Sequence, residues 1–344
     1  MPMLEQHEVA GYLLKRRLLS RRCIVAGSVR VGDASSRNRN FRVVGGAPGE
    51  SVLVKQGIAA DSAHTLANEA ALYARLSRGG GVPAACVPRL HGYDAAAGIL
   101  LLEWIEDGVD LERHVSARGG CGTGLAAALG RALAAVHAIA RDEEELRDDA
   151  PWVLALHRPP LEALRYFSAA SVQLVRRLQD DGALCARFDE LREGWRAGAL
   201  VHRDIKWANC IAHPAPGATR PARIKLVDWE MAGWGDPAFD VGSAFSDFAA
   251  FGLDRAAPAS GRPPSAALWH AYVRAAGLDE RAAARLLERS VRFAGARLVQ
   301  SAYEHTQETT VMSTRVQRLV ALARELLAGD ARVAGERLGL GMGT

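Results

Sequence analysis

Residues 201–211 read VHRDIKWANCI. Within that stretch His202, Asp204, Lys206 and Asn209 are polar positions set between apolar flanks. A carboxylate that can orient a hydroxyl, an ammonium two residues on and an amide oxygen three beyond it are what phosphoryl transfer asks of a protein. The acceptor must be positioned, the transferred charge neutralised and a divalent cation held. Asp204 would accept or orient the proton of the acceptor hydroxyl. Lys206 would place a positive charge near the transferring group, and Asn209 would ligate a metal ion through its carbonyl oxygen. His202 reads as a structural residue that fixes the loop by hydrogen bonding. The plain alternative is a solvated turn leading into a strand.

Two further segments supply the missing parts. In KLVDWE, Asp228 ends an apolar run, where a strand would deliver its carboxylate to a site. A hard cation such as Mg²⁺ takes carboxylate and phosphate oxygens together, so Asn209 and Asp228 form the expected protein half of a metal site. Lys55 lies in SVLVKQ, and Glu69 follows it by fourteen residues in LANEAALYARL. Lys55 would contact nucleotide phosphates, with Glu69 holding it in place. Taken singly, each of these is an ordinary strand-ending or surface residue; their order along the chain joins them.

No G-x-G-x-x-G precedes Lys55. VGDASSRNRNF stands between the first two strand candidates instead. Gly32 would permit close backbone approach, and Ser35, Ser36 and Asn38 carry small polar groups able to reach phosphate oxygens; an ordinary hairpin loop is the equal alternative. Backbone groups around Glu103 to Ile105, in LLLEWIED, would meet the adenine edge by position alone.

The elements that must position these residues follow from periodicity. Residues 5–20 have the spacing of an amphipathic helix, and 23–29, 40–44 and 51–57 read as strands separated by Gly-, Ser-, Asn- and Pro-rich turns. A helix is expected over 64–78 and a buried strand from 98. Long helical patterns follow at 123–141, 160–181, 183–198, 264–276, 279–306 and 312–328, with short strands inserted near 200–230. The expectation is an α+β, bilobal fold: a small antiparallel β lobe with one helix (1–105, nucleotide-binding), a larger, mostly helical lobe (106–335, catalytic and substrate-binding) and a loose tail (336–344).

Composition narrows the setting. The chain has 344 residues, 49% hydrophobic and 24% charged, with a formal net charge of +4. This is the make-up of an ordered globular protein, and no basic run calls for nucleic acid. The five cysteines, odd in number and scattered, argue against a disulfide framework or a zinc site and suit a reducing cytoplasm. The N-terminal stretch lacks the pattern of a secretory signal, and no apolar run approaches the roughly 18 residues of a spanning helix.

With these residues in hand, the chain resembles the aminoglycoside phosphotransferase and choline kinase family of the protein-kinase-like fold. VHRDIKWANC, LGRALAAVHAI and, above all, KLVDWEMAGWGDPAFDVG carry the resemblance. It implies that ATP (or GTP) with Mg²⁺ is used to phosphorylate a hydroxyl. It also implies that Asp228 takes the metal role and that Asp240 is a buried carboxylate bracing the catalytic loop. The family more often has Gly where this chain has Arg203, which leaves a small-molecule acceptor less secure. DWEMAGWGDPAFDVGSAFSDF and RLVQSAYEHTQ are also similar to phosphotransferases of lanthipeptide and thioamide-peptide pathways. That similarity implies Ser/Thr of a precursor peptide as acceptor and a lyase partner protein. A pseudokinase scaffold that binds nucleotide without turnover is the alternative, favoured by the poor phosphate loop; neither nucleic acid nor a membrane is expected as a partner.

Overall fold

The computed structural model describes residues 3–35, 38–45, 49–58, 60–78, 82–141, 146–213, 223–253 and 263–340. The chain forms two compact units, each built from two stretches of sequence. The first contains Met1–Ala117 and Ala208–Met231, the second Arg118–Trp207 and Ala232–Thr344. The sequence division at 105/106 therefore differs from the division by contacts. A segment carrying Asn209 and Asp228 belongs with the N-terminal strands, because its backbone pairs with a short strand there.

The first unit holds a five-stranded antiparallel sheet in the order β1-β2-β3-β5-β4. Its strands are β1 (Arg30–Asp33), β2 (Arg39–Val44), β3 (Val52–Gln56), β4 (Leu90–Asp94) and β5 (Ile99–Glu103). Alternation directs Phe41 and Val43, Val52 and Val54, and Ile99 and Leu101 into one core with Val9 and Leu13 of the short helix Val9–Lys15. The same period of two turns Lys55 to the opposite face, opposite Asn40 and Leu100 in the register. Helix α1 (Ala60–Arg78) follows β3. A second sheet pairs β6 (Val109–Asp110) with β8 (Cys210–His213) and β8 with β9 (Arg223–Leu226).

The strand expected at 23–29 is not one. Arg21–Val25 is a short helix whose N-cap Ser20 accepts from Cys23 N–H. Gly27, at φ +66°, follows it, and β1 begins only at Arg30. A run such as CIVA suits a helical turn as well as a strand, and the Ser cap decides.

The second unit is helical, apart from the two-stranded pair β7 (Ala199–Val201) and β10 (Gly233–Gly235). Its main helices are α2 (Thr123–His137), α3 (Ala169–Gln179), α4 (Gly182–Glu193), α5 (Pro237–Gly252), α6 (Pro264–Ala276), α7 (Glu280–Glu304) and α8 (Thr314–Ala328). The single helix expected over 160–181 is broken: Leu161–Leu164 is a separate turn, and Ser168 caps α3 by accepting from Ser171 N–H. Where the sequence reads as a loose tail from 336, Leu338 and Leu340 are buried. All five cysteines are free thiols. Among the described residues no helix is long and apolar enough to cross a membrane. The architecture is α+β, with an antiparallel N-terminal sheet and a larger, mostly helical C-terminal part, as expected from the sequence.

α5 and α7 meet at Gly242. A Cβ there would lie 2.8 Å from Ala294 N and 2.9 Å from Phe293 Cβ, and would collide with the Ser290 carbonyl. Two helix backbones in such contact leave no slack, so the packing of α5 on α7 is fixed by the missing side chain. Replacing Gly242 by Val should destabilise the protein by about 1–3 kcal/mol through overpacking, read as a lowered midpoint in urea unfolding with an unchanged slope.

Candidate functional site

In the first unit, Lys55 reaches from β3 between two carboxylates. Its Nζ lies 2.8 Å from Glu69 Oε2 and 2.7 Å from Asp228 Oδ1. Burial disfavours the ammonium, but the two carboxylates outweigh it and hold Lys55 charged, with its pKa above the ordinary lysine value. An ammonium has three N–H donors, and these two carboxylates take two of them. Glu69, on α1, is 1% exposed. Its second oxygen accepts the Trp229 backbone N–H at 3.2 Å. One glutamate thus ties the strand lysine to the backbone just after Asp228, a link the sequence reading did not contain.

Asn209 and Asp228 stand at the same end of the β8–β9 hairpin. The register pairs Cys210 with Leu226, and Val227 N–H donates to Asn209 O at 3.0 Å. Asp228 then turns out of the strand with φ +67°, a left-handed conformation rare for a non-glycine residue. Two oxygen-bearing side chains at one hairpin end fit a hard divalent cation that draws the rest of its shell from phosphates and water.

Of the polar residues expected at the phosphate loop, Ser35 hydrogen-bonds within its own turn. The Ser35 hydroxyl accepts from Asn40 N–H at 3.1 Å, and Ser35 N–H donates to Asp33 Oδ1 at 2.7 Å. Asn38 is buried, and Gly32 lies within β1 opposite Arg42. Ser36 lies outside the described residues. At the end of β5, Glu103 Oε2 accepts from Lys225 Nζ at 2.6 Å and from Arg89 N–H at 2.9 Å. Glu103 N–H goes to Arg89 O and Trp104 N–H to Ser51 O, while Ile105 O accepts from Gly108 N–H. The Glu103 side chain is thus committed to its neighbours.

The second unit carries Asp204. The segment GDPAFD builds its support. Asp236 caps α5 by accepting Ala238 N–H at 3.0 Å, and Pro237 opens the helix. Asp240, one turn in and fully buried, then faces the loop after β7. Its Oδ2 accepts His202 N–H at 2.7 Å and its Oδ1 accepts Arg203 N–H at 2.9 Å. His137, at the end of α2, lies 3.2 Å from Oδ2 through Nε2 and 2.9 Å from the Tyr272 hydroxyl through Nδ1. Burial would raise the Asp240 carboxyl, but the His137 hydrogen bond and the His202 N–H prevail and hold it below the usual carboxylate range. His202 is itself buried, and its Nδ1 accepts Asp204 N–H at 3.3 Å. Trp207 N–H donates to Asp247 Oδ2 at 2.7 Å. The loop is therefore gripped at both ends from α5.

Arg203, between them, has φ +68°. A glycine would take this conformation without strain. The arginine is retained by its side chain, which is buried, donates to the Asp149 carbonyl and lies 5.7 Å over the Trp195 ring.

Asp204 is flanked by two cations. Lys206 Nζ lies 2.7 Å from Oδ2, and Arg297 Nη2 lies 2.8 Å from Oδ1. Burial alone would raise the Asp204 carboxyl, yet Arg297 and Lys206 outweigh it and keep it ionised below the ordinary range. Arg297 comes from α7, and no local pattern announced it.

The first unit thus holds a buried Lys–Glu pair joined to a strand-ending Asp, and the second a loop aspartate held ionised between two cations. The family model described as the phosphotransferase enzyme family (APH) matches residues 29–296, and the chain belongs to that family: it is an ATP-dependent kinase. In structure it is similar to an ethanolamine kinase from Plasmodium vivax, with TM-score 0.57, 10% identity and coverage of 95% of this chain and 96% of that one. It is also similar to a choline/ethanolamine kinase family protein from Mesorhizobium loti, with TM-score 0.53, 16% identity and coverage of 96% and 98%. At such identities the likeness is one of fold. No curated protein matches the chain in sequence.

Two outcomes follow from this geometry. Asp240 has a depressed folded-state pKa, so its contribution to stability is present above the unfolded value near ~3.9 and is lost as pH falls through the folded value. Asp240→Asn should cost about 3–5 kcal/mol at neutral pH, as expected for one partner removed from a buried charged network. It should also flatten the acid limb of a stability-versus-pH curve. Arg203→Gly should relieve backbone strain of about 1–2 kcal/mol but lose a charged hydrogen bond of about 1.5–3 kcal/mol. A small net loss of stability is expected in denaturant titrations, with kcat changed less than ~3-fold because the side chain does not touch Asp204.

Proposed function

We propose that the protein transfers the γ-phosphoryl group of ATP, with Mg²⁺, to the hydroxyl of a small molecule or of Ser/Thr in a biosynthetic precursor peptide. The observation that carries the reading is Lys55 Nζ held between Glu69 and Asp228. That arrangement is what a nucleotide-processing kinase requires to be in place, and it weighs against a scaffold without turnover.

Each residue has a task. Lys55 offers its remaining N–H to a phosphate oxygen, and main chain near Ile105 meets the base. Asn209 and Asp228 would hold magnesium, which when bound neutralises charge on the phosphates. Asp204, kept ionised by its neighbours, is a weak base but a firm acceptor. It would orient a hydroxyl and take the proton late, as a loose transition state allows. Lys206 faces the same carboxylate and adds positive charge where the phosphoryl group arrives. The likeness of DWEMAGWGDPAFDVGSAFSDF to peptide-pathway phosphotransferases supports the peptide acceptor. A lyase partner would then eliminate the phosphate.

Asp204→Ala should lower ATP turnover with an acceptor by about 10²–10⁴-fold while nucleotide affinity stays within ~3-fold, since Asp204 is not among the nucleotide ligands. Calorimetry and mass spectrometry for a phosphate-sized adduct on candidate acceptors provide the readouts. Nucleotide binding by the wild type without turnover on any acceptor would instead establish the scaffold.

A further inference from the structure

Arg297 is a charge in an expensive place. Its side chain is 2% exposed, and an ammonium or guanidinium taken so far from water persists only where the geometry repays the desolvation. Nη2 donates to Asp204 Oδ1 at 2.8 Å. Nη1 makes no hydrogen bond and lies 3.8 Å from Glu304 Oε1. Gln300 Nε2 donates to the same Glu304 oxygen at 3.0 Å. Residues 297, 300 and 304 share one face of α7, at spacings of three and four. They form a polar line from the buried carboxylate to the half-exposed Glu304.

The placement exceeds what neutralising Asp204 needs, because Lys206 already sits on the other oxygen. A planar guanidinium differs from that flexible ammonium in fixing the direction of the carboxylate it binds. It also carries a full positive charge into a poorly screened region next to the reacting group. An acceptor bearing an ammonium group close to its hydroxyl would bring a third cation to this carboxylate.

We propose that Arg297 is a positioning residue: it fixes the Asp204 carboxylate for the acceptor hydroxyl and, by its charge, selects neutral or anionic acceptors against ammonium-bearing ones. The inference rests on the phosphotransferase reading above. A contrary feature lies on the same helix. Tyr303 packs edge to face with Trp152 and Phe167, and such rings attract ammonium groups over their faces. The two features predict opposite acceptors. A full charge hydrogen-bonded to the reacting carboxylate outweighs a ring quadrupole.

The test uses the full chain as wild type, Arg297→Gln and Arg297→Lys. Transfer is measured to choline and ethanolamine (cationic), glycerol and a neutral Ser-containing peptide, glycerate (anionic), and water as ATP hydrolysis. The ¹³Cγ shift of Asp204 reports the Arg297 hydrogen bond directly, and ATP affinity by calorimetry reports folding. The wild type should prefer glycerol, the peptide or glycerate. Arg297→Gln should lower kcat by about 10²-fold or more, in the range for loss of one preorganised charged donor. It should move the Asp204 shift, leave ATP affinity within ~3-fold and raise the relative kcat/KM for choline or ethanolamine by ~10-fold. Arg297→Lys should keep the acceptor ranking and recover kcat to within ~10-fold of wild type. Choline or ethanolamine as the preferred wild-type acceptor overturns the selection even if the Gln variant does not fold. Unchanged kcat and Asp204 shift in a folded Gln variant overturn the positioning. If nothing, water included, is phosphorylated by the wild type, the phosphotransferase reading falls and the inference with it, whereas turnover combined with either overturning result above removes only that part of the inference.

Discussion

The loop that carries Asp204 depends on the buried carboxylate of Asp240, which accepts two consecutive peptide N–H groups, those of His202 and Arg203, and is itself held by His137. Without it, two amides would be buried unpaired, each costing about 1–3 kcal/mol, and Arg203 would have little to keep it in a left-handed conformation. Everything downstream inherits this. The turn sets the direction in which Asp204 leaves the loop. The α5 backbone that supplies Asp240 also packs, through Gly242, on the helix that supplies Arg297. Support and neutralisation of one aspartate therefore come from two helices whose separation is fixed by a missing side chain.

The Lys55 cluster obeys a different constraint. Lys55, Glu69 and Asp228 come from three separate stretches of the first unit and meet at hydrogen-bonding distance. Two carboxylates around one buried ammonium leave a net negative cluster, which suits a site awaiting a cation. Glu69 makes the arrangement cooperative, because its two oxygens serve different elements, the strand lysine and the Trp229 amide. A shift of α1 would weaken both bonds together.

Much of this was legible in the sequence because the chemistry sits in short segments with fixed spacing. HRDIKWAN and DWE each place their residues on one turn or one strand end, where local geometry decides the outcome. Lys55 was legible as the lysine of the strand run SVLVKQ, and Glu69 from its place on the next helix. Arg297 was not, since its partner is 93 residues away and a charged residue in a helix rich in Arg looks like any solvated position until packing is known. The first strand was misplaced because an apolar run alone does not separate a helical turn from a strand. Ser35 was open between a phosphate loop and an ordinary hairpin; its hydroxyl hydrogen-bonds within its own turn, the usual habit of Ser beside a turn.

Arg203 was first weighed as a clue to the acceptor. Its side chain turns away from Asp204 toward Asp149 and Trp195, so its identity records how the second unit is braced rather than what is phosphorylated. Position 203 can then drift between a residue that is unstrained and one that is strained but anchored, with little change in chemistry. In this chain that letter marks a brace of the second unit, held in place at the cost of a left-handed backbone.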